Sequence, residues 1–346
     1  MSTEPILFRE VFREIARAEG PTPATVRAAF DAILVGAWSP PQIAGFVIAL
    51  RVRGETPEII AAAASAMRSA MVVVDHGLAQ TLDTCGTGGD GLGTLNVSTA
   101  AAIVVASLGV AVAKHGNRAG SGKTGAADVL EALGVPLDVP PEKQAGVLRD
   151  AGIAFLFAQM HHPAMKHAGP VRRELAGVPT IFNILGPLAN PARATHQLVG
   201  TFDDGLRPMM AAALRSLGTR RAWVVRGEDG LDEVSPTGPT RVTELDGESL
   251  RERAVAPEDF GLPRLPLSAI AGGDAPSNAA AIEAILRGDP HPARGAIVLN
   301  AAAALVVARG VEPKAAAIDA DQAIASGRAA ATLQKWKTLA LGARLS

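Results

Sequence analysis

Tyrosine is absent from the sequence, aromatic residues make up 3% of it, and cysteine occurs once, at Cys85. So few rings leave little to stack nucleic-acid bases or line a sugar-binding cleft, and Ala, Val, Ile and Leu must fill the core. One cysteine forms no internal disulfide and, alone, no thiolate metal site; this suits a reducing compartment and gives no sign of redox chemistry. Charge of one sign is missing too: 33 Lys plus Arg meet 34 Asp plus Glu, for a net charge of −1, so no global basic field attracts nucleic acid. No uninterrupted apolar run reaches the length of about 18 residues that a membrane span needs. Glu4, Arg9 and Glu10 break the basic-then-apolar order of a secretory leader. The expectation is a cytoplasmic protein with neither a membrane nor a nucleic acid as partner. With 346 residues, 48% hydrophobic and 19% charged, there is ample chain for one large globular domain or two smaller ones.

The N-terminal part reads as short consecutive helices. Phe8, Val11, Phe12 and Ile15 recur at helical spacing, and Val26, Phe30, Ile33 and Leu34 do so after Thr22-Pro23, a cap followed by a first-turn proline. Ser39-Pro40-Pro41-Gln42 has the form of a capping box, opening a helix whose Ile43, Phe46, Val47 and Leu50 share a face before Gly54; Thr56-Pro57 starts a fourth. After His76, apolar runs such as 81–85, 111–113 and 222–225 alternate with alanine-rich helical stretches, including 301–304 and 329–331. Such alternation predicts an α/β domain with a largely parallel central sheet flanked by helices. The expected division is a helical domain over 1–73, with the Pro- and Gly-punctuated segment 163–191 packing against it, and an α/β domain over 74–162 and 192–346.

Four blocks carry candidate chemistry. Cys85-Gly86-Thr87-Gly88-Gly89-Asp90-Gly91-Leu92-Gly93-Thr94 follows a predicted strand and precedes Asn96-Val97-Ser98-Thr99, which can cap a helix beginning near Ala100. Glycines let the backbone approach an anion, and a helix N-terminus offers free N–H groups and positive potential, so this is a phosphate cradle. The loop has neither the Gly-Lys-Ser/Thr of a Walker A loop nor the context of a Rossmann fingerprint. An ordinary Gly-rich turn is the competing account. The second block, Lys114-His115-Gly116-Asn117-Arg118 followed by Ser121-Gly122-Lys123-Thr124-Gly125 and Asp128, comes directly after the strand 111–113. Ligands of open α/β sheets sit beyond the carboxyl ends of the strands, so both loops are expected to face one crevice suited to a polyanion. Here the plainer readings are a solvated Lys123, a hydrogen-bonded His115 and an ordinary helical Asp128. Third, Asp232 and Glu233 follow the strand 222–225; magnesium takes oxygen ligands and is commonly held by one or two carboxylates plus phosphates, although the pair alone equally describes a solvated turn. Fourth, His161-His162-Pro163 leads to Arg172-Arg173-Glu174. No cysteine accompanies the histidines, which disfavours zinc, and either arginine can clamp a carboxylate or pair with Glu174.

Together these blocks resemble the anthranilate phosphoribosyltransferase family over nearly the whole chain. The resemblance rests on Asp83 to Asp90 with Asn96 to Thr99, Lys114 to Arg118, Phe155-Leu156-Phe157-Ala158 with His162-Pro163-Ala164-Met165, Thr180-Ile181-Phe182-Asn183 with Gly186-Pro187-Leu188, and Asp232-Glu233, all in the family's order. It implies a helical domain hinged to an α/β domain, 5-phosphoribosyl 1-diphosphate (PRPP) and Mg2+ held between them, anthranilate as acceptor, and a homodimer formed through the helical part. By position, the PRPP residues it implies are Gly86, Gly89, Asp90, Thr94, Asn96, Val97, Ser98 and Thr99, then Lys114, His115, Gly116, Asn117, Arg118, Ala119, Gly120, Ser121, Gly122 and Ala126. Ser98, Asp232 and Glu233 match magnesium ligands, and Gly86, Asn117 and Arg172 match anthranilate contacts. Lys114, Asn117 and Arg172 are the expected catalytic residues, by positioning and charge neutralisation; no general base is evident beyond His115, which can orient substrate or relay a proton.

The sequence departs from the family's pattern in three places. Ala126 stands where serine is frequent, Gly120 where a bulkier apolar residue is usual, and Pro179 where arginine is common, in a stretch 175–180 one residue longer than usual. Two rivals share the architecture. A pyrimidine nucleoside phosphorylase is disfavoured by Asp232-Glu233 and the His162 to Met165 block. A non-catalytic nucleic-acid-binding relative is disfavoured by the balanced charge.

Overall fold

The computed structural model describes residues 4–119 and 124–345. Four helices come first: α1 (Phe8–Ile15), α2 (Pro23–Leu34), α3 (Pro40–Arg53) and α4 (Pro57–Ala70). Their starts follow the sequence signals. Thr22 accepts the Thr25 N–H at 3.1 Å, the Gln42 side chain accepts the Ser39 N–H at 2.9 Å, and Thr56 accepts the Ile59 N–H at 3.4 Å, each beside a first-turn proline.

The remainder is α/β. In chain order it comprises β1 (Leu82–Asp83), α5 (Val97–Ser107), β2 (Val112–Gly116), α6 (Ala126–Ala132), α7 (Pro141–Ala151), β3 (Ile153–Phe157), α8 (Ala158–His161), α9 (Gly169–Glu174), α10 (Leu185–Leu188), β4 (His196–Gly200), α11 (Leu206–Ser216), β5 (Arg221–Gly227), β6 (Thr240–Asp246), β7 (Ser249–Val255), α12 (Ala275–Leu286), α13 (Arg294–Arg309), α14 (Pro313–Ala325) and α15 (Arg328–Leu345). The seven strands form one sheet in the order β3-β2-β1-β4-β5-β6-β7, parallel from β3 through β5 and antiparallel from β5 to β7. The expected class, a helical N-terminal domain beside a larger α/β domain with a mostly parallel sheet, is the one observed.

Side-chain alternation splits the core across the sheet. Leu198, Trp223 and Val225 join α5, α7 and α13–α15 on one face, whereas Val199, Ala222 and Val224 join α1–α4, α10 and α11 on the other. Residues Ala168, Val171, Ile181, Phe182 and Ile184 lie in that second cluster with the N-terminal helices. Buried alanines at 301–304 let α13 run close against its neighbours.

Three details differ from the sequence expectation. The first strand is only Leu82–Asp83, not 81–85. The second runs to Gly116, so Lys114 and His115 belong to the strand rather than to a loop after it; a lysine reads as a strand end, yet this one is buried among polar partners. The hairpin β6–β7 was not expected at all. Its outer strand carries exposed Arg251, Glu252 and Arg253, which hides the alternation and guards a sheet edge. Gly247, at φ +58°, makes the tight turn between Asp246 and Ser249. Among the described residues, no helix is long and apolar enough to cross a membrane.

Candidate active site

Strand order reverses at β1: the chain goes first to β2 and β3 on one side, then to β4 and β5 on the other. Adjacent loops leaving the carboxyl ends of β1 and β4 must diverge there, and a crevice opens between them. The glycine loop lies in it. Gly88, Gly89, Gly91 and Gly93 have φ of +65°, +90°, +71° and +63°, conformations that other residues rarely hold, and at Gly88, Gly91 and Gly93 a Cβ would meet open space. The loop is fixed at both ends. Thr87 N–H donates to the Gly200 carbonyl at 2.9 Å, and Phe202 N–H donates to the Thr87 hydroxyl at 3.2 Å. At the far end, Leu95 N–H donates to the Ile270 carbonyl at 2.8 Å and Gly272 N–H to the Gly93 carbonyl at 2.9 Å, with Thr94 bridging Ala271. Helix α5 begins at Val97 rather than near Ala100, and Asn96 holds the cap position without a side-chain capping bond. Its carboxamide is engaged elsewhere, whereas the Thr99 hydroxyl is buried with no hydrogen-bond partner among the described residues. Val97 and Thr99 are turned into the core and Ser98 outward, so this motif offers mostly backbone N–H groups.

The Ser98 N–H donates to Glu233 Oε1 at 3.1 Å, placing that carboxylate over the N-terminus of α5. Asp232 and Asp90 stand beside it. Burial is the largest cause raising the Asp232 carboxyl, followed by the charge of Asp90; Glu233 is raised by burial and then by Asp232, with Lys114 pulling the other way. Lys114 is 1% exposed; its Nζ donates to Thr84 Oγ1 at 3.2 Å and to Ser98 Oγ at 3.4 Å. Beneath it, Asp83 is wholly buried, accepts from His115 N–H at 3.1 Å and from Asn190 Nδ2 at 2.7 Å, and is pushed up to about 6 by burial. Asp90 Oδ2 is buried without a donor. One ammonium thus faces several crowded carboxyl groups, a donor set that fits a hard cation with oxygen ligands. A different trio, Asp83, Cys85 and His115, brings its ligand atoms within 4.8 Å of one another. Both Asp83 oxygens are already taken there, and burial holds the Cys85 thiol protonated, so that trio is a packed strand end.

Two supports for the carboxylates carry no sequence signal. Gly200 ends β4 directly under them: a Cβ there would lie 1.5 Å from the Asp232 carbonyl oxygen. Asn300, 1% exposed within α13, accepts the Val234 N–H at 2.9 Å and donates to the Val234 carbonyl at 3.0 Å, clamping the peptide next to Glu233.

The described parts of the second loop, 116–119 and 124–126, follow β2, the strand beside β1. Asn117 Oδ1 accepts the Arg118 N–H at 2.8 Å, and Asp128 Oδ2 accepts the N–H groups of Ala119 at 3.0 Å and Gly125 at 2.9 Å. Asp128 is therefore the loop's organiser rather than an ordinary helical carboxylate. Arg118, expected to face phosphate, instead pairs its guanidinium with Asp128 and Glu131, both at 2.9 Å, leaving its backbone as the part turned to the loop. Gly116 packs against Ala126, whose Cβ would be 3.2 Å from a Cβ at 116. Gly120, Ser121, Gly122 and Lys123 lie outside the described residues.

The opposite wall comes from 161–188. The His115 and His162 rings lie 5.2 Å apart; His115 Nδ1 bonds the Gly186 carbonyl at 3.0 Å, and Nε2 of each ring is buried without a partner. Burial first, then neighbouring histidines, lowers both, to about 4 for His162, so both rings are neutral at neutral pH. His161 is tied differently: its Nδ1 bonds the Val72 carbonyl at 2.9 Å, anchoring the link that follows α4. On α9, the Arg172 guanidinium sits 6.0 Å from the centre of the Phe182 ring and is lowered by desolvation while keeping accessible surface. Among the described residues no carboxylate pairs with it, Glu174 included. The short segment 181–188 connects this arginine, through Phe182, to His115, through Gly186.

The two parts of the chain match two models of one class: residues 9–71 match the helical bundle domain, and residues 78–330 the α/β domain, of the glycosyl transferase family. Within it, the chain is 47% identical over 329 residues to the anthranilate phosphoribosyltransferase of Rhodopseudomonas palustris (strain BisA53), covering 95% of this chain and 96% of that protein. The structure of anthranilate phosphoribosyltransferase from Thermus thermophilus superposes with a TM-score of 0.87 at 43% identity, covering 92% of this chain and 95% of that one. The Saccharomyces cerevisiae enzyme, in complex with PRPP and Mg, gives 0.88 at 29% identity, covering 97% and 98%. The chain belongs to the anthranilate phosphoribosyltransferase family.

Proposed function

We propose that this chain transfers the 5-phosphoribosyl group of PRPP to the amine of anthranilate, yielding N-(5-phosphoribosyl)anthranilate and pyrophosphate, a step of tryptophan biosynthesis. The observation that carries this reading is the pairing of a glycine loop with buried, crowded carboxylates at a strand-order switch point; an arginine with no carboxylate partner among the described residues stands on the segment that also packs Gly186 on His115. Gly86, Gly89, Asp90, Thr94 and the backbone of 96–99 line the side for PRPP, with Lys114 and the loop from His115 through Gly122 to Ala126 around the diphosphate. Ser98, Asp232 and Glu233 would hold Mg2+, which when bound neutralises the diphosphate and eases its departure from ribose C1. Lys114, beside Ser98 and Glu233, balances the carboxylates. Arg172 takes the anthranilate carboxylate, and Asn117 and Gly86 help aim the amine at C1. His115 and His162 stay neutral and line the pocket in this scheme.

The helical part, residues 1–73 with 163–191, moves as one body against the rest in this reading, hinged where Val72 N–H meets the His161 carbonyl at 2.8 Å and Val74 N–H the Pro191 carbonyl at 3.0 Å. Exposed Leu7, Phe12, Val35 and Val52 on or beside α1–α3 support a homodimer through that part, working in the cytoplasm. The test is to mix purified protein with PRPP, Mg2+ and anthranilate and follow anthranilate fluorescence. Steady, PRPP-dependent loss is expected; no loss, with phosphorolysis of a pyrimidine nucleoside instead, would overturn the reading.

A further inference from the structure

Asn278 lies on the first turns of α12, 2% exposed, and far in sequence from every residue considered so far. Its carboxamide closes a ring of hydrogen bonds. Asn278 Nδ2 donates to Asn96 Oδ1 at 3.0 Å, and Asn96 Nδ2 donates to the Thr124 carbonyl at 3.1 Å. The Thr124 hydroxyl donates to the Gly273 carbonyl at 3.0 Å, and the Gly273 N–H donates back to Asn278 Oδ1 at 2.7 Å. Four groups from three separate stretches of chain are joined in one circuit, each link oriented so that donor and acceptor alternate.

The ring's members determine its meaning. Asn96 ends the glycine loop and begins α5, Thr124 ends the second loop, and Gly273 belongs to the segment that also holds Gly93 and Leu95 through its backbone. A Cβ at Gly272 would lie 2.4 Å from the Thr94 carbonyl oxygen, so the segment lies flush against the loop. The two loops are thereby tied to one another, at Asn96 and at Thr124, through a third element that is itself not among the candidate ligand residues. A buried asparagine kept only to satisfy the start of α12 would need just the Gly273 bond; its second bond, to Asn96, extends the tie to the cradle.

We propose that Asn278 is a positioning residue for PRPP, setting the distance between the glycine loop and the 114–126 loop by closing this ring; the inference rests on the PRPP reading of the site. Cradles of backbone N–H groups bind well only when they are already in place before the ligand arrives, so opening the ring should weaken the ligand that spans both loops and spare the other.

The experiment measures PRPP affinity by calorimetry with Mg2+ present, and both Michaelis constants, for three variants. Asn278→Ala removes two links; Asn278→Asp keeps the acceptor for Gly273 but cannot donate to Asn96; Thr124→Val breaks the link on the far side. Each is expected to weaken PRPP about tenfold, equivalent to about 1.4 kcal/mol, with the anthranilate Michaelis constant within about twofold, in the range of one lost buried hydrogen bond. Combining Asn278→Asp with Thr124→Val should add little, because a ring already open cannot be opened again. Equal effects on both substrates, full PRPP affinity in Asn278→Asp, or plain additivity in the double variant would each overturn the proposal. If Asn278→Ala does not fold, the other two variants still decide. Turnover by the unsubstituted protein tests the reaction itself, and the ring is judged only on the ratio of affinities.

Discussion

The crevice has two unlike walls. The α/β wall is densely bonded before any ligand arrives: the glycine loop is pinned at both ends, Glu233 rests on the Ser98 N–H, Lys114 is held by Thr84 and Ser98, and Asn300 clamps Val234. The wall from 161–188 has a short six-residue helix, buried imidazoles with unpartnered Nε2 atoms, and Arg172 without a carboxylate. A highly charged ligand repays a rigid site, because donors already in place cost no reorganisation when charge moves in the reaction. On the proposed assignment the other wall takes a small, flat acceptor with one carboxylate, which needs only one fork of donors and a shaped pocket, so that wall can remain sparse.

Substitutions can break this contrast in graded steps. The largest effect is expected from Asp232→Asn combined with Glu233→Gln, which removes the carboxylates that would hold Mg2+ against the diphosphate: kcat/KM should fall on the order of a thousandfold, and the remaining rate should respond little to Mg2+ concentration. Gly200→Ala comes next. Its Cβ would occupy the place of the Asp232 carbonyl, 1.5 Å away, so the carboxylate loop must shift, and a loss of about a hundredfold is expected in initial-rate assays for a displacement of that order. Both variants should keep the helical part folded, since none of the three residues belongs to its core.

The smallest effect lies away from both walls. His196 on β4 is held at about 4 by burial, then by Arg221 and Arg220, against an ordinary value of 6.5. The unfolded chain therefore takes up a proton that the folded chain refuses, so this residue's contribution to stability is present above about pH 6.5 and is lost as the pH falls toward about 4. His196→Gln should narrow the drop in melting temperature between about pH 7.5 and pH 5 without altering either Michaelis constant; an unchanged pH dependence would show that the ring is not titrating as its surroundings demand.

Legibility in the sequence also divides along the walls. Glycines held at positive φ leave a dense local mark, and the Asp232-Glu233 pair stands out after a strand, so the glycine loop and the carboxylate pair could be located before any coordinates. What supports them could not. Asn190 meets Asp83, Asn278 meets Asn96, and Asn300 meets Val234 across 107, 182 and 66 positions, and a single asparagine in an apolar stretch shows no period or motif. Gly200 resembles any strand-end glycine until the Asp232 backbone is seen against it. The guanidinium partners of Arg118 were equally hidden: its basic neighbours suggest an anion, while Asp128 and Glu131, which pair with it, lie in the first two turns of the next helix. The hairpin β6–β7 did carry a mark, Asp246-Gly247, but the charges on its outer strand masked the alternation.

The contrast between the walls is tested most directly by Arg172→Ala, with PRPP binding followed by calorimetry and the anthranilate Michaelis constant measured in the fluorescence assay. The expected result is PRPP affinity within about twofold of the unsubstituted protein and an anthranilate constant raised by about a hundredfold, the loss of one charged, bidentate contact of roughly 3 kcal/mol. An equal loss for both substrates would contradict the assignment of one substrate to each wall and make Arg172 a residue of the fold.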